Sequence, residues 1–285
     1  MNAYQQLETV RDMIAEASAS HWSDRELLSA MNVEQRRIGI YVGLNAVSWL
    51  LDSVAVTPTS SVITLPANCA KPVYLEETSS GSPVQFSTNV QNRRVSRTSG
   101  VDFSYGIKEA YPQRNVIVVN SESYSTACTL WYLRRVPDLH VGTASAGGAT
   151  SITLSAHDGA SGTTGFGAKV IADYYNNVGI EIVSGTGAGA VDTITDYTAA
   201  RVATVTGTYS SDSVYGTISL LPDETHELIT LGAVKKALAK RGSSIDPKYY
   251  QYIADEWKVL NAAVIDFLSS RVGTTTRILT TEADL

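Results

Sequence analysis

The chain has 285 residues, enough for about two structural units, one of which could be inserted in the other. Charged residues make up 18% of it, and 22 basic against 28 acidic residues leave a net charge of −6 at pH 7. This balance argues against a protein that coats nucleic acid by neutralising phosphates, while DNA passing nearby remains compatible with it. Cys69 and Cys128 lie far apart without CxxC partners, so we expect no disulfide framework, zinc site or cofactor.

The N-terminal segment is amphipathic and charged, and no run of 18 consecutive apolar residues occurs in the sequence. A secretory signal needs an apolar stretch behind its charged start, and a membrane-spanning helix needs a longer one. We therefore expect a soluble protein that is made in a cytoplasm and has no membrane partner.

Two helices are predicted at the N-terminus. Leu7, Val10 and Ile14 recur at three- and four-residue steps, which places them on one face of a helix. Ser23 and Glu26 have the spacing of a capping box, so a second helix is predicted to begin there. The apolar stretch 41–51 fits either an extension of this helix or a buried strand.

From residue 52 the sequence changes to short β-branched and aromatic runs separated by Pro, Gly and Asn, a pattern typical of an antiparallel sheet. The predicted strands are 61–65, 72–76, 84–87, 115–119 and 126–134. The last run is apolar on both alternating sides, so we expect it to be covered on both faces of the sheet.

Composition changes again between residues 141 and 215, where 12 of the 21 glycines fall and no proline occurs. We interpret this segment as an inserted module. Its predicted strands are 151–154, 169–172, 179–183, 191–196 and 201–205.

Helical spacing returns after residue 222. Leu228, Leu231, Val234 and Leu238 share one face of a predicted helix that ends before Gly242. Asp246 and Pro247 then offer a cap and a first-turn proline for the longest predicted helix, which runs to about residue 268. The tail 274–285 fits either a frayed terminus or an arm that binds a neighbouring subunit.

Together these segments predict an α+β chain with a helical bundle, an antiparallel β region and an inserted small all-β domain of barrel or sandwich type. The expected body is discontinuous and comprises residues 1–140 and 216–273. The inserted domain comprises 141–215, and the C-terminal arm comprises 274–285.

No catalytic or metal-binding pattern is present in the sequence. The glycines of 185–189 have neither the GxGxxG nor the P-loop spacing, so a hairpin turn is favoured over a nucleotide site. His21, His140, His157 and His226 are isolated from one another, and the acids around His226 are those of a first helical turn. We therefore predict that the chain is not an enzyme.

Two groups of residues are candidates for binding partners. Arg93, Arg94 and Arg97 form a basic run between turn-rich segments, which we interpret as a solvated loop or an ion-pair patch, with DNA contact as the alternative. Arg134 and Arg135 form a second basic pair. In the tail, the candidates are Arg277, Ile278 and Leu279, which form a brief alternating piece.

The order of four stretches resembles the head-tail adaptor, or connector, proteins of tailed bacteriophages. The stretches are SDRELLSAMNVEQRRIG, SSVITLPANCAKPVYLEE, TLWYLRRVPDL, and LPDETHELITLGAVKKALAKRGSS followed by YYQYIADEWKVLNAAVIDFLSSR. The resemblance implies a virion protein of the neck, assembled in the host cytoplasm as a homo-oligomeric ring of commonly twelve subunits. Its partners would be the portal on one face, a tail or neck protein on the other, and genomic DNA passing through the lumen without sequence-specific binding.

The stretch GIEIVSGTGAGAVDTITDYTAARVATVTG is similar to a β module that recurs in phage neck and tail proteins. It allows an alternative function, a carbohydrate- or surface-binding module, which the Gly/Thr-rich composition and the many tyrosines also suggest. A third possibility is a cell-wall hydrolase, but the sequence offers no acid pair on a recognisable scaffold.

Overall fold

The computed structural model describes residues 1–16, 21–45, 47–87, 108–120, 124–160, 165, 167–241 and 246–271. These residues form four α-helices and three β-sheets, so the predicted α+β class is confirmed. Contacts divide the chain into two units, Leu50–Arg135 and the combination of Met1–Trp49 with Val136–Leu285. In this division residues 141–215 belong with the helices, and their independence as an inserted domain stays a prediction.

The unit Leu50–Arg135 is a single seven-stranded sheet. Its strands are β1 (Leu51–Val56), β2 (Val62–Thr64), β3 (Cys69–Glu77), β4 (Pro83–Phe86), β5 (Lys108–Gln113), β6 (Val116–Val119) and β7 (Cys128–Arg134). Their order in the sheet is β1-β7-β3-β4-β5-β6-β2. All five strands predicted here are present, together with β1 and β5. The sheet is antiparallel except between β4 and β5, which run parallel.

Strand β7 lies between β1 and β3, and its alternation sets the core of this sheet. Cys128, Leu130 and Tyr132 are buried, whereas Trp131 and Leu133 on the opposite face are half-buried. The prediction that both faces of β7 are covered is therefore confirmed for one face, whereas the other face is only half-buried.

The other unit contains the helices α1 (Ala3–Met13), α2 (Asp24–Asn45), α3 (His226–Arg241) and α4 (Pro247–Arg271). Short 3₁₀ turns span Val47–Trp49 and Asp223–Thr225. Helix α3 contacts α1, α2 and α4. The stretch 41–51, which fitted either helix or strand, is divided: α2 ends at Asn45 and β1 begins at Leu51.

The predicted caps explain where α2 and α4 begin. Ser23 Oγ accepts from the Glu26 amide at 3.3 Å, and Glu26 Oε2 accepts from the Ser23 amide at 3.2 Å. Asp246 Oδ1 accepts from the Lys248 amide at 2.9 Å, with Pro247 in the first turn. Each cap satisfies an amide that the first helical turn would leave without a partner.

Two four-stranded antiparallel sheets complete this unit. Their strands are β8 (Val141–Thr143), β9 (Ala146–Gly147), β10 (Ser151–Thr153), β11 (Gly179–Ser184), β12 (Val191–Thr193), β13 (Asp196–Tyr197), β14 (Val202–Thr204) and β15 (Val214–Ile218). The strand orders are β13-β14-β10-β9 and β12-β11-β15-β8. The strand predicted at 169–172 is wrong. Val170 and Ile171 are exposed and pair with no strand among the described residues.

Helix α1 packs directly on strand β15. A Cβ atom at Gly216 would lie 2.7 Å from the backbone nitrogen of Tyr4, and Asn2 forms a β-bridge with Ile218. This close approach requires a residue without a side chain at position 216. It also ties the N-terminal helix to a strand more than 200 residues later in the chain.

Helices α2 and α3 approach each other closely at Gly232. A Cβ atom at this position would lie 2.4 Å from Cγ of Glu34, which is buried on α2. Lys236 Nζ lies 2.8 Å from Glu34 Oε1, and Arg37 Nη1 lies 3.1 Å from the same oxygen. Glu34 is therefore held on two sides and has little freedom to move away.

We predict that Gly232→Ala destabilises the protein. Alanine inside a helix normally stabilises by about 1 kcal/mol relative to glycine, but forcing a methyl group into a filled space costs about 1–3 kcal/mol. The urea midpoint should therefore fall, whereas the exposed control Ser29→Ala on α2 should leave it unchanged or raise it slightly. A Gly232→Ala variant more stable than the parent would contradict the close contact.

Candidate interaction surface

A groove of about 600 Å³ runs between α2 and α3. Trp22, Arg25, Glu26, Val33, Lys236 and Lys240 are among the residues that line it. Lys240 Nζ lies 4.4 Å from the centre of the Trp22 ring and 2.7 Å from Glu26 Oε1. The hydrogen bond from Lys240 is the main reason that the pKa of Glu26 is lowered. The groove is thus amphipathic, and its lysines are already matched with carboxylates or an aromatic ring.

Paired side chains also join α3 to α4. Lys235 Nζ lies 3.6 Å from the centre of the Trp257 ring, a cation–π contact between the two helices. Burial lowers the pKa of Lys235, although the nearby Glu34 acts in the opposite direction. Glu34 of α2 thus interacts electrostatically with Lys235, the residue of α3 that contacts α4.

The outer faces of α2 and α4 expose large apolar side chains. On α2, Ile40 is 67% exposed and Leu44 is 71% exposed. On α4, Tyr252 is 58% exposed and Val259 is 70% exposed. Such residues scattered singly are common, but here they recur along two helices and form two candidate contact faces.

The glycine-rich loop 185–189 connects β11 to β12, so the predicted hairpin turn is confirmed. Gly185, Gly187 and Gly189 all have positive φ, between 80° and 85°. The Thr186 amide donates to the Asp212 carboxylate at 3.1 Å. The Thr186 amide is therefore already engaged by a carboxylate of the same unit.

His140 lies in a buried hydrogen-bond chain. The Ser155 amide donates to the Tyr215 hydroxyl at 2.7 Å, which leaves the Tyr215 proton to be donated to His140 Nδ1 at 3.0 Å. His140 Nε2 lies 3.2 Å from the carbonyl oxygen of His157 and 3.6 Å from Asp158. Burial lowers the pKa of His140 to about 4. This histidine is neutral and structural at pH 7.

His226 is also buried, and it contacts the N-terminal ammonium group at 3.2 Å and Asp223 at 3.5 Å. Burial lowers the pKa of His226, and the ammonium group adds to this effect. No group of three or more His, Cys, Asp or Glu that could hold a metal ion occurs in the part of the chain that the structure describes.

Several other residues singled out in the sequence are buried. Cys69 and Cys128 are both buried, and burial raises the pKa of the Cys69 thiol to about 11, so this thiol is a poor nucleophile at pH 7. Arg134 is buried in its sheet, where it does not present a surface charge to phosphate.

The tyrosines of the β segment are mostly in its core. Tyr175, Tyr197, Tyr209 and Tyr215 are all buried, and the rings of Tyr175 and Tyr197 pack edge-to-face with centroids 4.9 Å apart. Buried rings cannot stack on a sugar from solvent. This arrangement weakens one of the reasons for considering a carbohydrate-binding module.

The partner-binding residues predicted from sequence are Arg93, Arg94, Arg97, Arg277, Ile278 and Leu279. All six lie outside the described residues, so they stay predictions. The exposed apolar faces of α2 and α4 were not predicted. They could have been recognised from apolar residues that lie on the otherwise polar side of each helix. These residues are Ile40 and Leu44 on α2 and Val259 on α4.

No family model matches this chain, and no curated protein matches it. Within the described part of the chain, none of the helices has the length and hydrophobicity needed to span a membrane.

We predict that His140 makes the fold sensitive to mild acid. Its pKa lies below the unfolded value of about 6.5, so its contribution to stability is complete above pH 6.5 and is lost as the pH falls towards 4. Over that range the free energy of unfolding should fall by about 3 kcal/mol. In His140→Gln, which cannot become charged, this fall should be much smaller when measured by urea unfolding at several pH values.

His157→Gln is the matched control, because the His157 side chain is exposed. This variant should keep the acid sensitivity of the parent. Equal pH dependence in His140→Gln and the parent would show that His140 is not the group responsible.

Proposed function

We propose that this chain is a structural subunit of a phage head-tail connector, not an enzyme. It would form a homo-oligomeric ring of about twelve copies in the virion neck, between the portal and the next tail or neck protein, after assembly in the host cytoplasm. Genomic DNA would pass through the lumen without sequence-specific contacts. The ordered resemblance of the helical and sheet segments to adaptor proteins supports this role.

The observation that carries the proposal is the exposure of α4. This helix has 25 residues, yet of its side chains up to residue 268 only Ile253, Val264 and Leu268 are buried. Tyr252 and Val259 on its outer side are 58% and 70% exposed. A long helix with so little cover from the described part of its own chain is suited to packing against a neighbouring subunit.

The finer architecture belongs to the same proposal. Helices α1 to α4 would act as the bundle of the connector body, and the strands between 141 and 215 would act as an inserted barrel- or sandwich-like domain on the outside or rim of the ring. The arm 274–285 would reach a neighbouring component, with Arg277, Ile278 and Leu279 as its contact residues. Arg93, Arg94 and Arg97 would form an interfacial ion-pair patch.

The net charge of −6 per chain suits passage of DNA. Multiplied around a ring, an acidic surface repels the phosphate backbone instead of binding it. This effect requires acidic side chains on the lumen.

The alternative, a carbohydrate- or surface-binding module, has less support, because the tyrosines of the β segment that could stack on sugars are buried. A glycan array with the full chain separates the two functions. A connector should give no signal, and specific binding would favour the alternative. For the cell-wall hydrolase, measurable lysis of peptidoglycan would overturn the proposal of a non-enzymatic role.

We predict that the purified chain mixed with the portal protein of the same phage forms rings with a central pore. Negative-stain electron microscopy of the mixture, with each protein alone as control, tests this directly. A chain that stays monomeric and does not bind the portal would contradict the connector role.

We predict that removing residues 272–285 leaves the fold intact but weakens portal binding. The unfolding midpoint should not change, whereas the dissociation constant for the portal should rise about tenfold, which corresponds to about 1.4 kcal/mol. The matched control removes only residues 281–285 and so keeps Arg277, Ile278 and Leu279. Unchanged portal binding after the longer deletion would contradict the proposal that the arm 274–285 binds a neighbouring component.

A further inference from the structure

The outer face of α2 carries apolar and basic residues on one stripe. Val33, Arg37, Ile40 and Leu44 follow one another at steps of four, three and four residues, and Arg36 lies beside them. All five side chains are exposed. Arg37 pairs with Glu34 at 3.1 Å and Arg36 lies 3.7 Å from Asp138, but both carboxylates are largely buried, whereas both arginine side chains are more than half exposed. The solvent-exposed surface of this stripe is therefore apolar and basic.

The outer face of α4 has the same spacing with the opposite charge. Tyr252 and Val259 are seven residues apart and exposed, and Asp255, Glu256 and Asp266 are exposed around them. Lys258 is the only exposed cation between residues 252 and 266, and it lies 3.1 Å from Asp255. This stripe is therefore apolar and net negative.

We propose that the α2 face of one copy of this chain binds the α4 face of the next copy. The occupant of each face is thus a second copy, and the reason is charge complementarity around a shared apolar ridge. Arg36 and Arg37 would meet the cluster of Asp255, Glu256 and Asp266, while Ile40, Leu44, Tyr252 and Val259 lose their contact with water.

The distribution of charge also selects the symmetry of the contact. Pairing α2 with α2, or α4 with α4, in a two-fold dimer would bring like charges together, which is unfavourable. Pairing α2 with α4 uses two different surfaces of each copy. Such a head-to-tail contact leaves one free face at each end, so it repeats and can close into a ring. The inference rests on the proposed ring and names the surfaces that build it.

The two faces are held in fixed positions within one unit of the chain. Helix α3 contacts both helices on their inner sides. Its Lys236 pairs with Glu34 of α2, and its Lys235 lies over the Trp257 ring of α4. The outer stripes are left uncovered by this packing. Little rearrangement is needed before a second copy can bind, which limits the entropy lost on assembly.

The test uses two variants that each damage one face. Ile40→Glu places a negative charge on the α2 stripe, and Val259→Lys places a positive charge on the α4 stripe. Because both positions are exposed, the unfolding midpoint should stay that of the parent. Sedimentation velocity should show large assemblies for the parent, alone and with portal, whereas each variant alone should sediment as a monomer of 30.5 kDa. The control Val170→Glu changes an exposed apolar residue elsewhere and should assemble like the parent.

Mixing the variants in equal amounts gives the sharpest outcome. The Ile40→Glu copy keeps an intact α4 face and the Val259→Lys copy keeps an intact α2 face, so the mixture should associate, at least into dimers of twice the chain mass, whereas each variant alone stays monomeric. If both variants assemble like the parent, the α2–α4 contact is overturned while the ring function stands. If the parent is monomeric with and without portal, the ring function is overturned, and the contact with it.

Discussion

A buried carboxylate fixes the helical part of this protein. The side chain of Glu34 is 2% exposed on α2, and the Lys236 ammonium from α3 lies 2.8 Å from it. A carboxylate left without a partner at such a site costs several kcal/mol, so α2 and α3 are constrained to the register that brings these two charges together. Gly232 makes this possible, because any larger residue would collide with Glu34. The position of α4 follows through the contact of Lys235 with Trp257.

This inner arrangement determines what the molecule shows to other proteins. Three polar groups of the described residues have their partners inside the chain: Glu34 pairs with a lysine, Asp212 accepts from a backbone amide, and His140 contacts a tyrosine hydroxyl. The outer sides of α2 and α4 keep apolar side chains in contact with water. A subunit of an assembly is expected to have buried polar groups that are paired internally and exposed apolar faces that can bind a neighbour. The proposed role as a connector subunit rests on this arrangement.

Local signals in the sequence predicted much of the fold. The caps at Ser23 and Asp246 and the long apolar periodicities were sufficient for the helices, because each signal acts within one or two turns. Very short strands such as β9 and β13 could not be predicted, since two residues carry no periodicity. The apolar run at 169–172 has the composition of a strand, but strand formation depends on a partner elsewhere in the chain. The tertiary fold decides which side of each helix or strand is covered. The packing of α1 on Gly216 and the charge on the outer faces of α2 and α4 therefore could not be predicted from local sequence.

The central claim is that copies of this chain join through two different helical faces into a closed ring. A cryo-electron microscopy reconstruction of the chain assembled with its portal tests it most directly. We expect a ring with a central pore in which α2 of each copy packs against α4 of its neighbour, with Ile40 and Val259 inside the contact. A ring whose subunits meet through other surfaces, with both of these residues facing solvent, would contradict it.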